Sequence, residues 1–151
     1  MEKSRDYIIE SLAGYGNLEE LKAIFEKSYT QLEIDVALEN AVAYSQMKVI
    51  DYLLTLGANF SNYDFQGVYY AVHNDEIEGL KYSILKGVDI NVNQGMIINT
   101  SIFTAINTKK EEMVKWILEN GGNPKFLTKD SLELVRKYGS SELKKIINEK
   151  I

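Results

Sequence analysis

The chain has 151 residues, of which 45% are hydrophobic and 26% charged, a composition typical of one ordinary globular domain. It contains no Cys, which excludes a disulfide framework and thiolate metal sites and fits a cytoplasmic location. No apolar run reaches the roughly 18 residues of a membrane span. Residues 1–15 carry charges throughout, unlike a signal peptide. The net charge of −5 argues against nucleic-acid binding.

A helical pattern recurs along the chain at intervals of about thirty residues. In each copy, apolar residues stand seven, four and three positions before an anchor. Ser83 is the one polar residue in these fifteen slots, and we expect Leu85 to compensate for it. Where the anchor is glycine, we expect the helix to end there in a left-handed conformation. The anchors are Ser28, Gly57, Gly87, Gly121 and Lys150, spaced by 29, 30, 34 and 29 residues.

A second amphipathic segment precedes each of these helices. Its apolar residues recur at spacings of three and four, which places them on one side of a helix. The segments are Ile8–Ala13, Val36–Val42, Val68–Val72, Ile98–Ile106 and Leu132–Tyr138. Small residues recur where two helices must approach, at Ala13, Ala41, Ala71 and Ala105. The chain therefore predicts five successive helix-turn-helix copies.

The turn inside three of these copies contains the pattern of a helix start. A side-chain oxygen that caps the second helix is followed three residues later by Glu, which can cap in return. The pairs are Asn17 with Glu20, Asp75 with Glu78, and Thr108 with Glu111. We expect these side chains to begin the second helices.

The second helix and the loop after it resemble those of ankyrin repeats. The segments MKVIDYLLTLGANFSN and EIEGLKYSILKGVDINVN carry the likeness, and LGAN and KGVDINVN are closest to the ending typical of that family. The resemblance implies an all-α, ankyrin-like solenoid of five helix-turn-helix units, with short loops or β-hairpin tips between them. It covers nearly the whole chain as a single domain, residues 1–151, in repeats of approximately 4–32, 33–62, 63–94, 95–126 and 127–151.

The chain also departs from that family. The Thr-Pro-Leu-His opening of the first helix is absent, and three of the four spacings are shorter than the usual 33 or so residues. We expect plain loops at residues 28–33 and 58–64, and the longest β-hairpin at residues 88–97. The polar terminal copies are typical of end caps, so we expect a complete protein.

The sequence offers little for catalysis. His73 is the only His, which removes two-His metal sites and makes any Ser-His-Asp triad depend on this one residue. The Gly14 and Gly16 pair follows a helical segment, unlike a nucleotide-binding fingerprint. We expect no enzyme, no catalytic residue, no metal and no cofactor. The rival hypothesis is a small enzyme or ligand-binding protein that uses the surface around His73, Asn74, Tyr70 and Asn107.

A binding surface is the stronger hypothesis. The resemblance implies a concave groove lined by the first helices and the loop tips. Tyr is favoured at the centres of interfaces, whereas Tyr52, Tyr82 and Trp116 fall between apolar slots and are expected to pack inside. The residues expected to bind a partner are Tyr15, Asn40, Tyr44, Tyr63, Phe65, Tyr70, His73, Asn74 and Asn107.

The charge distribution indicates what kind of partner to expect. Residues 28–80 hold eight acidic residues and one basic residue, Lys48. We therefore expect a protein that is a monomer when free and that binds a basic protein, as an inhibitor or immunity-type protein or as an adaptor that recruits its partner. Nucleic-acid binding through the basic last repeats is disfavoured by the net negative charge, and no membrane partner is expected.

Overall fold

The structure, a computed structural model, describes residues 3–151. Within them lie ten α-helices and one 3₁₀ helix and no β-strand, which confirms the all-α prediction. No helix in this range is both long enough and apolar enough to cross a bilayer. In chain order the helices are α1 (Arg5–Tyr15), α2 (Leu18–Phe25), α3 (Gln31–Ala43), α4 (Met47–Thr55), α5 (Gln66–His73), α6 (Ile77–Leu85), α7 (Val92–Thr108), α8 (Glu112–Glu119), the 3₁₀ helix (Pro124–Phe126), α9 (Lys129–Tyr138) and α10 (Ser141–Lys150).

The apolar slots of the repeat pattern form the interior. None of the fifteen is exposed, and the four small residues of the first helices are all buried. Ser83 is fully buried and satisfies its hydroxyl by donating to the carbonyl oxygen of Gly79 at 2.8 Å. Leu85 is 76% exposed, so the expectation that it compensates for Ser83 is wrong. A serine that bonds to its own helix is buried without loss of a hydrogen bond.

The chain divides into two compact units. The first comprises the described chain up to Ala71 together with Glu76–Lys86. In it α1 packs against α2 and α3, and α3 packs against α4 and α6. Close approach to α3 depends on glycine: a Cβ on Gly79 would lie 2.3 Å from the carbonyl oxygen of Val42, and a Cβ on Gly67 would lie 2.7 Å from the Cα of Glu39.

The second unit comprises Val72–Asp75 and Gly87–Ile151. Here α7 packs against α8, α9 and the 3₁₀ helix, and α9 packs against α10. Inside α7 the backbone is non-helical at Asn93–Gly95, so its regular part follows Gly95. Gly95 adjoins Phe126 so closely that a Cβ would lie 2.4 Å from that side chain.

A left-handed residue ends the first helix of four copies and turns the chain into the second. These residues are Gly16, Ser45, Asp75 and Lys109, spaced by 29, 30 and 34 residues like the anchors. In the first three copies the next amide reaches back across the turn, as from Gln46 to the carbonyl of Ala41 at 2.8 Å. This bond and the one made by the amide of the left-handed residue itself together form the Schellman ending of a helix. The glycine anchors are left-handed as predicted, at Gly57, Gly87 and Gly121.

The predicted caps of the second helices are wrong. Asn17 makes no side-chain cap, α6 starts from Glu76 and not Asp75, and Thr108 is the last residue of α7. Asn17 follows the left-handed turn and has a ψ of 69°. A residue that caps a helix through its side chain usually has an extended backbone, so Asn17 is not in the conformation for a cap. Side-chain caps begin first helices and the last helix instead, at Ser4, Thr30, Thr128 and Ser140.

The predicted β-hairpin at residues 88–97 is also wrong. Val88 and Ile90 are buried, and α7 begins at Val92. The side chain of Asn91 makes the contacts that a strand partner would make: its amide donates to the carbonyl of Gly121 at 3.0 Å, and its oxygen accepts from the amide of Asn123 at 2.8 Å. Residues 28–33 and 58–64 contain no strand either, as predicted, although α3 already starts at Gln31.

Candidate functional site: an acidic groove along α1 and α3

Two adjoining cavities lie along α1 and α3 in the first compact unit, and together we call them the α1–α3 groove. The acidic cavity has a volume of about 560 Å³, and its lining includes Asp6, Glu10, Glu33, Glu39, Asn40 and Tyr63. The tyrosine cavity has a volume of about 520 Å³, and its lining includes Tyr7, Glu10, Tyr15, Asn40, Tyr44 and Glu76. Glu10 and Asn40 line both cavities, so the two form one continuous surface.

Arg5 fixes the position of α1 against the start of α3. Its guanidinium donates to the Glu33 carboxylate at 2.6 Å and to the carbonyl of Ser28 at 2.9 Å. Glu33 also forms a capping box with Thr30. The hydrogen bond from Arg5 lowers the pKa of Glu33 below its ordinary value. Glu33 is therefore a paired, structural carboxylate at the edge of the groove.

Glu39 is the most enclosed acid of the groove, with only 8% of its surface exposed. One oxygen, Oε1, accepts a hydrogen bond from the side-chain amide of Asn62 at 2.8 Å. Burial raises the pKa of Glu39, the Asn62 hydrogen bond lowers it, and the negative charges of Asp35 and Glu10 raise it further. No side-chain oxygen in the described residues is both sealed from solvent and unpaired, so Oε2, which accepts no hydrogen bond, reaches open space.

The negative charge of the groove is only partly compensated. Asp6 and Glu10 accept no hydrogen bond from any described residue, and Asp6 interacts with Arg5 only through the electrostatic attraction of the two charges. Glu76, in contrast, accepts from the hydroxyl of Ser45 at 2.8 Å. No Lys or Arg lines either cavity. Among residues 3–151, no three His, Asp or Glu side chains are grouped so that they could hold one metal ion. Together the acids of the groove favour a cationic ligand.

The tyrosine cavity presents large rings to solvent. Tyr15 is 80% exposed and Tyr44 is 52% exposed. Gly14 leaves room for the Tyr44 ring, which a Cβ would approach to 3.2 Å, and the side chain of Gln46 donates to the carbonyl of Gly14 at 2.9 Å. The backbone next to these rings is therefore held in place by packing. A preorganised surface loses less conformational entropy when it binds a partner.

Tyr63 reaches the acidic cavity from a strained loop. Three successive residues, Tyr63, Asp64 and Phe65, have left-handed φ values of 48°, 54° and 63°. Asn93–Gly95 repeats this turn thirty residues later. Each non-glycine residue in this conformation costs about 1 kcal/mol or more, and such strain persists only where the surrounding structure enforces it. Phe65 is half-buried, whereas Tyr63 is 59% exposed.

Comparison with protein-family models finds no match for this chain, and comparison with curated proteins finds none. The ankyrin-like assignment therefore stays a hypothesis from the repeat pattern, and the site has to be judged by its own geometry.

The remaining predicted contact residues lie outside these two cavities. Tyr70 is 41% exposed, and its ring lies edge-on to Tyr69 with centroids 5.3 Å apart. In the second unit the exposed His73 stacks on Phe103 with centroids 6.0 Å apart. Asn74 and Asn107 are also exposed.

Four of the nine predicted residues line the groove: Tyr15, Asn40, Tyr44 and Tyr63. The other groove residues that carry a charge or a ring were not predicted: Asp6, Tyr7, Glu10, Glu33, Glu39 and Glu76. A signal was present, because Asp6 and Glu10 are four residues apart and so share one face of a helix. Tyr52, Tyr82 and Trp116, which were expected to pack inside, are only half-buried.

Proposed function

We propose that this chain is an ankyrin-like binding module that holds a basic protein in the α1–α3 groove. One observation carries the proposal: Asp6, Glu10 and Glu39 line a groove that contains no Lys or Arg and is flanked by exposed tyrosines. A surface of this kind attracts positive charge over a distance and then gains contact area from rigid rings.

The size of the chain suits this role. A standard protein interface takes about 800 Å² from each partner, and the accessible surface of this chain is 8552 Å². An interface of that size would cover roughly a tenth of the molecule.

Blocking a basic enzyme and recruiting a basic protein use the same contact. In the first case the captured partner loses its activity when this chain is bound, and in the second it keeps that activity. An activity assay of the captured partner, with and without this chain, separates an inhibitor from an adaptor.

The proposal is tested by affinity capture from native lysate at low ionic strength. We expect basic proteins to be captured and then to be lost when salt shortens the Debye length from about 30 Å at 0.01 M to about 3 Å at 1 M. Replacing Tyr15 and Tyr44 by Ala should remove the same proteins. The control is Tyr138→Ala, which removes a tyrosine that is 65% exposed and lies in the second unit.

Two results would refute the proposal: capture that does not respond to salt, and loss of capture with Tyr138→Ala but not with the double variant. A further variant, His73→Ala, addresses the rival ligand-binding hypothesis. We expect it to leave the captured set unchanged, whereas a ligand site around His73 requires that imidazole.

A further inference from the structure

The acidic cavity contains a carboxylate that is enclosed but not fully paired. Glu39 is 8% exposed, and Asn62 occupies only its Oε1 atom. The Oε2 atom accepts no hydrogen bond and is not sealed from solvent, and Asp6 and Glu10 line the same cavity, with Asp6 also within electrostatic reach of Arg5. An enclosed carboxylate without a cation is costly, so this cavity is suited to a ligand that brings a positive charge with its own hydrogen-bond donors.

We propose that the acidic cavity binds an arginine side chain of the basic partner, with its guanidinium hydrogen-bonded to Glu39 and Glu10 and its plane against the ring of Tyr63. This inference rests on the proposed function, because it names the side chain through which the partner is recognised. It commits to arginine, and lysine is tested as the competing occupant.

Three features favour a guanidinium over an ammonium. The acids of the cavity belong to two different helices, since Asp6 and Glu10 lie on α1 and Glu39 lies on α3. The planar guanidinium has five N–H donors and can bond to several carboxylates at once, whereas an ammonium is a compact point charge. Tyr63 supplies an exposed ring at the cavity, and guanidinium groups stack on aromatic faces. The volume of about 560 Å³ falls in the range of small-ligand pockets, roughly 300–1,000 Å³.

Arginine binding should also change the pKa of Glu39. Burial raises the pKa of Glu39, with Asp35 and Glu10 as the acidic neighbours that raise it further. A bound cation favours the ionised carboxylate, so arginine binding should lower the pKa of Glu39 again.

The experiment uses the full chain and three short Gly/Ser peptides that carry one arginine, one lysine or one citrulline at the same position. Citrulline keeps the shape of arginine without its charge. Binding is followed by amide chemical shifts, which detect weak association. We expect the arginine peptide to shift the amides of Glu10, Glu39 and Tyr63 in a saturable way, the lysine peptide to bind less tightly, and the citrulline peptide to cause no saturable shift.

The variants keep the fold while removing one charge. Glu39→Gln retains an oxygen that can accept from Asn62, and Glu10→Gln removes the charge of a side chain that accepts no hydrogen bond from a described residue. Each should weaken arginine binding about tenfold or more, the value of one charge-assisted hydrogen bond. The charge-matched control is Glu20→Gln on α2, an exposed acid outside both cavities, which should change affinity by no more than about twofold, in line with the small energies of exposed charges.

Three results would overturn the inference: equal binding of the arginine and citrulline peptides, binding of lysine at least as tight as arginine, and equal affinity in Glu39→Gln and Glu20→Gln. Unchanged amide shifts away from the groove in each variant establish that the fold is intact. If the peptides fail while lysate capture still depends on salt and on Tyr15 and Tyr44, the arginine assignment fails alone. If capture also ignores those tyrosines, the proposed function fails with it.

Discussion

Replacing Asp35 by Ala should destabilise the first compact unit, because this buried carboxylate joins α3 to the loop of the next copy. Asp35 is 6% exposed, and its Oδ1 atom accepts from the amide of Asn59 at 2.7 Å and from the side chain of Gln31 at 2.9 Å. Gln31 in turn donates to the carbonyl of Gly57 at 2.9 Å. Removing the carboxylate therefore leaves a partly buried amide without its acceptor and loosens Gln31.

The cost follows from these two hydrogen bonds. A hydrogen bond to a charged group contributes about 1.5–3 kcal/mol, and partial exposure places both bonds at the lower end, so the expected loss for Asp35→Ala is about 3 kcal/mol. At about 2–4 °C per kcal/mol for a chain of this length, Tm falls by about 6–12 °C. Asp35→Asn retains an acceptor oxygen without the charge and should lose about 1 kcal/mol.

The assay is urea unfolding followed by far-UV circular dichroism, together with hydrogen exchange of the Asn59 amide. The exchange measurement is needed because the chain divides into two compact units, which need not unfold in a single transition. We expect exchange at Asn59 to accelerate more in the Ala variant than in the Asn variant. A loss below about 0.5 kcal/mol for Asp35→Ala, the size of an ordinary surface change, or equal losses in the two variants, would refute the reasoning.

Three further predictions concern the backbone and the ion pair beside the groove. Gly79→Ala should cost about 1–3 kcal/mol in urea unfolding, since its Cβ would lie 2.3 Å from the Val42 carbonyl oxygen; a gain of about 1 kcal/mol, as on an open helix face, would contradict this. Lys109→Gly should stabilise by about 1 kcal/mol, because Lys109 is exposed with φ of 58°; unchanged stability would show that the turn is unstrained. The folded pKa of Glu33 is lowered by Arg5, so its contribution is complete above the ordinary pKa of about 4.3 and is lost as pH falls through the lower folded value. The difference in urea midpoint between wild type and Glu33→Gln should therefore shrink on acidification, and a constant difference would exclude this pair as its source.

The helical pattern could be predicted from the sequence because it depends on properties of short segments. Apolar residues at offsets of seven, four and three define one face of a helix wherever the segment is placed. The same holds for Gly57, Gly87 and Gly121, since the left-handed ending of a helix is a local conformation that glycine adopts with little strain. These elements were predicted correctly for physical reasons that need no tertiary contact.

The failed β-hairpin prediction concerns groups whose hydrogen-bond partners are distant in the chain. The Asn91 side chain forms hydrogen bonds with the backbone of the loop in the next copy, so residues 88–91 are held in place without a β-hairpin. The second helices begin without a side-chain cap, because the turn before them comes from a left-handed residue. At Ser45 and Lys109 that residue is neither glycine nor Asn or Asp, and local preference gives no warning of it.

The α1–α3 groove also combines features that were predictable from the sequence with features that were not. The sequence by itself determined an acidic middle region, exposed tyrosines and the order of the helices, because composition and helical periodicity are local properties of the chain. Only the tertiary structure decided that Asp6 and Glu10 of α1 join Glu39 of α3 in one cavity without a basic residue. That arrangement comes from the packing of α1 against α3, to which the bond from Arg5 to Glu33 across 28 residues adds. Contacts of such separation are set by the packing of whole helices, which no single segment encodes.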